Sequence, residues 1–440
     1  MRGFYWVVIL VATASLAKFL TPLNAMDTGW DFGHAYSLLR GGNGSFYNDY
    51  LHSSPDYLYG YLIAPLAAIS KSAFVPKIFY SITLSLLAFA LLIRKKVLGL
   101  SIGLIILILS NYIILTHRPE IVTILLGLLA YPFVLKNHSV RWQLAVPIGI
   151  VLFFIHPANA ILMSAAVLAS KNLLAQRTTF HIVIYSCAIC LLMYVLILAP
   201  EQHHLAILRT RILDGNPLLD FGKFLKYSGL TLAALAIAKR SIWTAQFCLN
   251  YAVLFALCLI LGPYYYYVFL IVPFILEAPT SKTKTTKIAV ATAILFNVYT
   301  NIIHVNLVHL ENPSYAQKAF EIDEYLSNVS TIESPNNIFI DQHIGLPLYA
   351  KTANAKMIMS MANRTYFLAT KPKDDDIAYF TKRKDALLFE NEINLDDSGY
   401  QTEITQLLSP NLGRLTLQSL YKNRTDSLGL YKMTISQIEK

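Results

Sequence analysis

Phe74-Val-Pro-Lys-Ile-Phe-Tyr-Ser-Ile-Thr-Leu-Ser-Leu-Leu-Ala-Phe-Ala-Leu-Leu-Ile93 carries a single charge, Lys77, and is followed at once by Arg94-Lys95-Lys96. A lipid-spanning helix needs about 20 mainly apolar residues, because its backbone must hydrogen-bond to itself. Basic residues at the end of such a run fix its orientation. Outward from this stretch, Gly3–Pro22, Val97–Thr116, Phe180–Ala199, Ser241–Gly262 and Ile288–Asn306 read the same way. Shorter runs at Ile121–Leu135, Gln143–His156, Ala158–Ala175, Lys226–Ala238 and Tyr264–Glu277 read as broken or tilted helices. The expectation is a mainly α, polytopic bundle of about eleven transmembrane helices. Composition agrees: 55% of the 440 residues are hydrophobic and only 14% charged, against about a quarter charged in soluble domains.

The net charge of +10 does not point to nucleic acid, since no basic stripe interleaved with aromatics is present. The cations sit in small groups at helix ends. With the N-terminus cytoplasmic, the inside groups are Arg2, Arg94-Lys95-Lys96, Lys136/Arg141, Lys171/Arg177, Lys239-Arg240 and Lys282/Lys284/Lys287. That is thirteen basic residues against eight in the facing connections. The count requires that Tyr57–Ser70 does not cross and instead lies in or dips into the outer interface. Gly3–Pro22 is longer than a signal-peptide core and is expected to stay as a helix. Cys187 and Cys190 form a Cys-x-x-Cys pair inside an apolar run, where packing is the simpler reading.

The chain divides at about Leu310. Residues 1–309 alternate apolar runs with short connections, apart from Asn24–Asp56 and Glu201–Lys226. Residues 310–440 mix polar and apolar positions: Pro313–Asn328 reads as an amphipathic helix, and Asn337–Asp341, Lys356–Met361 and Ser427–Ile435 as strands. This predicts a small C-terminal α/β domain, on the outer side if eleven helices cross.

Ionisable residues beside a bilayer are costly and mark function. Asp27 and Asp31 stand four apart, on one face of any helix there, followed by His34, Asp49 and Asp56, with Arg40 the strong cation among them. Asp27 would equally serve as a helix cap. His117-Arg118-Pro119-Glu120 joins two apolar runs, either as a site or as an Arg–Glu anchor. His156-Pro157 interrupts a third, as a broken helix or a tight turn. Gly262-Pro263 leads into Tyr264–Tyr267, which composition alone reads as an interfacial belt. His203-His204 and His117/Glu120 lack a metal-ligand spacing, and Asp31-Phe-Gly33 stands without the rest of a kinase motif set.

Asp27-Thr28-Gly29-Trp30 with Ala35-Tyr36-Ser37-Leu38-Leu39-Arg40-Gly41-Gly42 resembles the first outer loop of GT-C glycosyltransferases, nearest to the protein O-mannosyltransferase and lipid A aminoarabinose transferase branch. Tyr47-Asn48-Asp49, Ser54-Pro55, Arg118-Pro119-Glu120, His156-Pro157, and Tyr267 with Pro273 extend the likeness. The chain departs from that pattern where Thr28 stands for an acidic residue and His156 for a lysine. The resemblance implies a GT-C-type bundle with the outer loop at 24–56. It implies transfer of a sugar from a polyprenyl phosphate-linked donor to a lipid, glycan or protein acceptor at the outer face of the cell (inner) membrane. Asp27 would be the base, with Asp31 or Asp49 assisting. Arg118, Glu120, His156, Arg211, Lys223 and Tyr267 would form the substrate-binding set. No cofactor is implied, although a divalent cation could supply missing charge. The alternative is a transporter or lipid flippase whose charges line a path.

Overall fold

The computed structural model describes residues 2–20, 57–69, 74–95, 100–116, 118–136, 139–174, 188, 217–277 and 283–304. It also describes five strands between 338 and 436. The described part is mostly helical. The chain forms two compact units, one built mainly from Lys77–Glu311 and the other containing Asn312–Lys440.

The helices are α1 (Arg2–Leu20), α2 (Tyr57–Ile69), α3 (Phe74–Arg94), α4 (Ile102–Leu109), α5 (Tyr112–Leu115), α6 (Pro119–Val134), α7 (Trp142–Ile155), α8 (Pro157–Ser170), α9 (Pro217–Ala238), α10 (Ala245–Leu261), α11 (Val272–Leu276) and α12 (Lys284–Asn297). A 3-10 helix, Tyr264–Ile271, precedes α11, and a π-helical turn, Val298–His304, prolongs α12.

Two of these helices, at Lys77–Arg94 and Lys284–Ile303, are long and apolar enough to cross a membrane. On α3 the outward positions Ile78, Ile82, Leu86, Phe89 and Ile93 are all exposed, at spacings of four, four, three and four. The opposite positions, including Leu84, Leu87 and Leu91, are buried. A soluble amphipathic helix would carry polar residues on its outer stripe, whereas one apolar all round suits lipid. At 13 residues, α2 reaches about 20 Å, short of the ~30 Å hydrocarbon core.

Three sequence expectations are corrected. Val97–Thr116 is not one helix but α4 and α5, broken at Ser110-Asn111. Asn111 is extended and caps α5 by accepting from the Ile113 N–H, while its amide donates to Ser228 (3.0 Å) and Thr231 (3.3 Å). Asn297 donates to Thr231 (2.8 Å) and Ser110 (3.3 Å), and Asn301 to the Ser110 carbonyl (3.0 Å). The freed backbone groups are thus met by buried amides from α12 and its π turn, the condition for a break at membrane depth. Second, α9 begins nine residues earlier than its apolar run, with Pro217 in its first turn, where a missing N–H costs nothing. Third, Ser241–Gly262 starts its α-helix late, because Thr244 accepts from the Phe247 N–H and sets the cap.

In the first unit β1 (Leu135–Lys136) and β2 (Ser139–Val140) form a short hairpin between α6 and α7; in the second the strands are β3 (Ile338–Asp341), β4 (Ala355–Ile358), β5 (Ile377–Arg383), β6 (Arg414–Lys422) and β7 (Leu428–Ser436). The sheet order is β4-β3-β5-β7-β6, parallel from β4 to β5 and antiparallel beyond. The helix expected at Pro313–Asn328 lies outside the described residues, as does nearly all of Phe180–Ala199.

Candidate functional site

The 3-10 helix Tyr264–Ile271 is the hub of one end of the helical unit. Gly262, at φ +93°, takes the left-handed conformation that glycine adopts without penalty and closes α10. Pro263 then starts the tyrosines. Eight residues is long for a 3-10 helix, a form usually limited to three or four and often found at functional hinges.

Arg118, His156 and the aromatics of α9 each meet a tyrosine of that segment. The Arg118 guanidinium carbon lies 3.3 Å from the centre of the Tyr265 ring, close cation–π contact. Its Nε also donates to Glu120 Oε2 at 3.1 Å, with side-chain exposures of 8% and 0%. Pro119 and Glu120 occupy the first turn of α6, where the helix dipole favours an acid. Glu120 Oε1 is buried and, among the described residues, has no hydrogen-bond partner, and the same holds for both polar atoms of the Asn159 side chain.

His156 separates α7 from α8. Its backbone is extended, and its Nδ1 accepts the Asn159 N–H at 3.3 Å as the cap of α8, with Pro157 following. A ring that caps through Nδ1 is neutral and carries its proton on Nε2. The imidazole is 6.0 Å from the Tyr266 ring, edge to face. The sequence reading of a broken helix matches this geometry.

From α9, Phe224 and Phe221 lie 5.5 and 5.4 Å from the buried Tyr267 ring. Tyr227 stacks on Tyr112 at 4.4 Å and lies 6.2 Å from Tyr264. Lys223, exposed, stands 3.9 Å from Asp220 in the first turns of α9, ahead of its apolar run. Burial raises the Asp220 carboxyl above its usual value, against the pull of Lys223 and of the Tyr264 backbone N–H.

Arg118, Glu120, His156, Lys223 and Tyr267 are therefore carried by elements that all pack on one tyrosine segment. Asp27, Asp31, Asp49 and Arg211 lie outside the described residues. Sequence reasoning did not single out Tyr265, Asp220 or Lys18. The last was detectable, as a cation inside the apolar run of α1. Lys18 is fully buried and donates to the carbonyls of Ile114, Leu115 and Thr116, 5.3 Å from the Tyr80 ring. It caps the exposed carbonyl end of α5 and fixes the chain two residues before Arg118. Among the described residues, no group of three or more His, Cys, Asp or Glu could hold a metal.

The opposite end of the unit holds a second ionic group. Lys171, after α8, pairs with Glu277 at 2.5 Å. Burial lowers the Lys171 ammonium, but Glu277 and the Tyr131 hydroxyl outweigh it and raise it overall. Lys239 is lowered to about 8 by burial, with Glu277 acting against the shift.

No family model, curated protein or solved structure matches this chain. What the site can do must come from its own residues. A fixed guanidinium on an aromatic shelf, with a capping imidazole on the same tyrosine segment and an exposed lysine on the helix packed against it, can receive a phosphate and stabilise charge developing on it.

Proposed function

We propose that the chain is a multi-pass membrane glycosyltransferase. It would move a sugar from a polyprenyl phosphate-linked donor to a lipid, glycan or protein acceptor at the outer face of the cell membrane. The observation that carries this reading is the convergence of Arg118, His156 and the aromatic face of α9, the helix that bears Lys223, on Tyr264–Tyr267. In this scheme the sugar–phosphate bond breaks as the acceptor oxygen or nitrogen bonds to the anomeric carbon, and the lipid phosphate departs with the electron pair. A phosphate is a good leaving group, so one base suffices. Asp27 takes the acceptor proton, with Asp31 or Asp49 orienting the acceptor. Arg118, which stays charged at any working pH, and the His156 Nε2–H meet the departing phosphate. A GT-C-type bundle with an outer C-terminal α/β domain completes the proposal.

The transporter or flippase reading draws on the discontinuous α4/α5 helix and the π turn, features of ion and substrate sites in transporters. Against it, the carbonyls that such a site would offer to a cation are held by Lys18. The deciding assay uses purified protein in vesicles carrying polyprenyl phosphate labelled in the sugar, with a membrane lipid extract as acceptor. Release of free polyprenyl phosphate with label in a new product is expected. Movement of intact donor between leaflets without that chemistry would overturn the proposal. Reporter fusions after Lys284 should read cytoplasmic and after Asn312 external; the reverse removes the outer-face site.

A further inference from the structure

Between α6, α7 and α8 lies a cavity of about 130 Å3, close to the size at which an apolar cavity stays dry and admits a benzene-sized group. Its wall includes Gly127 and Val134 of α6, Trp142 and Gly149 of α7, and Met163 of α8. Met163 covers α6: a Cβ on Gly127 would come within 2.2 Å of its Cε and 2.7 Å of its Cγ. The α7 side is open, since a Cβ on Gly149 would meet nothing within 4 Å.

One end of the cavity is marked by Val134, Val140 and Trp142, where the β1–β2 hairpin (Leu135–Lys136 with Ser139–Val140) joins α6 to α7. Lys136 stands on that hairpin, and Arg141 sits half-buried between the lining residues Val140 and Trp142. An apolar slot that ends at an indole and Arg141, on a hairpin whose sequence also carries Lys136, has the polarity of a lipid: hydrocarbon within, aromatic and cationic groups at headgroup level. We infer that this cavity takes a segment of one hydrocarbon chain of an anionic phospholipid from the leaflet at that end, the rest of the chain lying outside the slot and the headgroup at the hairpin carrying Lys136 and Arg141. The headgroup end is distinct from the Arg118 site, the hairpin and Arg118 lying at opposite ends of α6, 16 residues or about 24 Å apart, while the inner wall of the cavity, with Phe153 and Ala160, comes within about a turn of His156. The inference rests on the membrane reading alone and does not depend on sugar transfer.

Trp142 supplies the readout. With Trp6, Trp30 and Trp243 replaced by Phe, it is the remaining indole of the chain's four. The protein is reconstituted in phosphatidylcholine vesicles and titrated with chain-brominated phosphatidylglycerol or, separately, chain-brominated phosphatidylcholine. Quenching by the anionic lipid should saturate at a low mole fraction, at least tenfold below that needed with the neutral lipid. Arg141→Ser and Lys136→Ser should each weaken the anionic preference about fivefold, the equivalent of ~1 kcal/mol per basic residue near an anionic surface. Gly149→Phe fills the slot and should reduce anionic quenching to the neutral level, while Gly149→Ala leaves it. If Gly149→Phe does not fold, Ser164→Leu narrows the slot from α8. Equal quenching by the two lipids in the parent protein overturns the inference. So does displacement of the brominated anionic lipid by equimolar polyprenyl phosphate, which would assign the cavity to a donor tail.

Discussion

Replacing Arg118 by Met should destabilise the protein severely, and replacing Glu120 as well should restore it. The magnitude follows from the burial of the pair: Glu120 is 0% and Arg118 8% exposed, at 3.1 Å. Removing one member of such a pair leaves an uncompensated buried charge, costing about 3–5 kcal/mol, whereas replacing both by apolar groups of similar volume is near neutral. Among the described residues Glu120 Oε1 has no partner, so loss of Arg118 would remove the hydrogen bond that they give its carboxylate. The stacking on Tyr265 adds ~0.5–2 kcal/mol that the double variant does not recover. Arg118→Met should therefore lose about 3–5 kcal/mol in denaturant unfolding of the detergent-solubilised protein, and Arg118→Met/Glu120→Met about 2 kcal/mol or less. The folded double variant then separates anchor from binding group: with donor and acceptor supplied, its transfer should be abolished or nearly so. A single substitution costing under ~1 kcal/mol would refute the burial argument. A double variant transferring at the parental rate would leave Arg118 as an anchor only.

Asp27→Asn should lower transfer about 10²- to 10⁴-fold at equal protein level if Asp27 is the base, and be nearly silent if it only caps a helix, since Asn caps as well as Asp; initial rates in matched membranes decide. Lys18→Met leaves the carbonyls of Ile114, Leu115 and Thr116 without their ammonium and should cost at least ~2 kcal/mol in the same unfolding assay, with no change in stability counting against the cap. Lys239 titrates near 8 folded, against 10.5 for the ordinary side chain. The unfolded chain holds that proton more tightly, so stability is lowest below pH 8 and rises between about 8 and 10.5. The melting temperature should rise from pH 7.5 to 9.5 and do so less in Lys239→Leu; identical slopes would refute the assignment.

Much of the helical unit was legible because twenty-residue apolar runs leave a chain few alternatives. The break at His156-Pro157 was legible too, since proline cannot continue the hydrogen-bond ladder of the preceding helix. The break at Ser110-Asn111 was not. Ser and Asn end a helix only when something else satisfies the freed groups, and those partners, Ser228, Thr231, Asn297 and Asn301, stand more than a hundred residues away. The first turns of α9 were hidden for another reason. Asp220, Lys223 and Lys226 look like loop in a scan for apolar runs, yet they continue the same helix. In the second unit, β5 and β6 escaped notice. β6 pairs with a register shift between Ser419 and Tyr421, which breaks the alternation by which strands are read. At the site, sequence proximity gave the Arg118–Glu120 pair. Nothing local could show that Tyr265, 147 positions further on, would lie under the guanidinium.

The tight winding of Tyr264–Ile271 sets how far few residues can reach. At ~2.0 Å per residue its eight residues cover about 16 Å, and the five of α11 add ~7.5 Å. These thirteen residues travel about 24 Å, the length of the sixteen-residue α6 beside them. Rewound as α-helix, the same thirteen would fall short by roughly 4 Å. Either the tyrosines would leave Arg118 and His156 or Glu277 would leave Lys171. The two ionic ends of the unit are thus held apart by a tether with no slack, whose effective length is a matter of pitch. A local change of winding at either end would be felt at the other as a displacement along the helix axis, accompanied by a turn of the aromatic shelf.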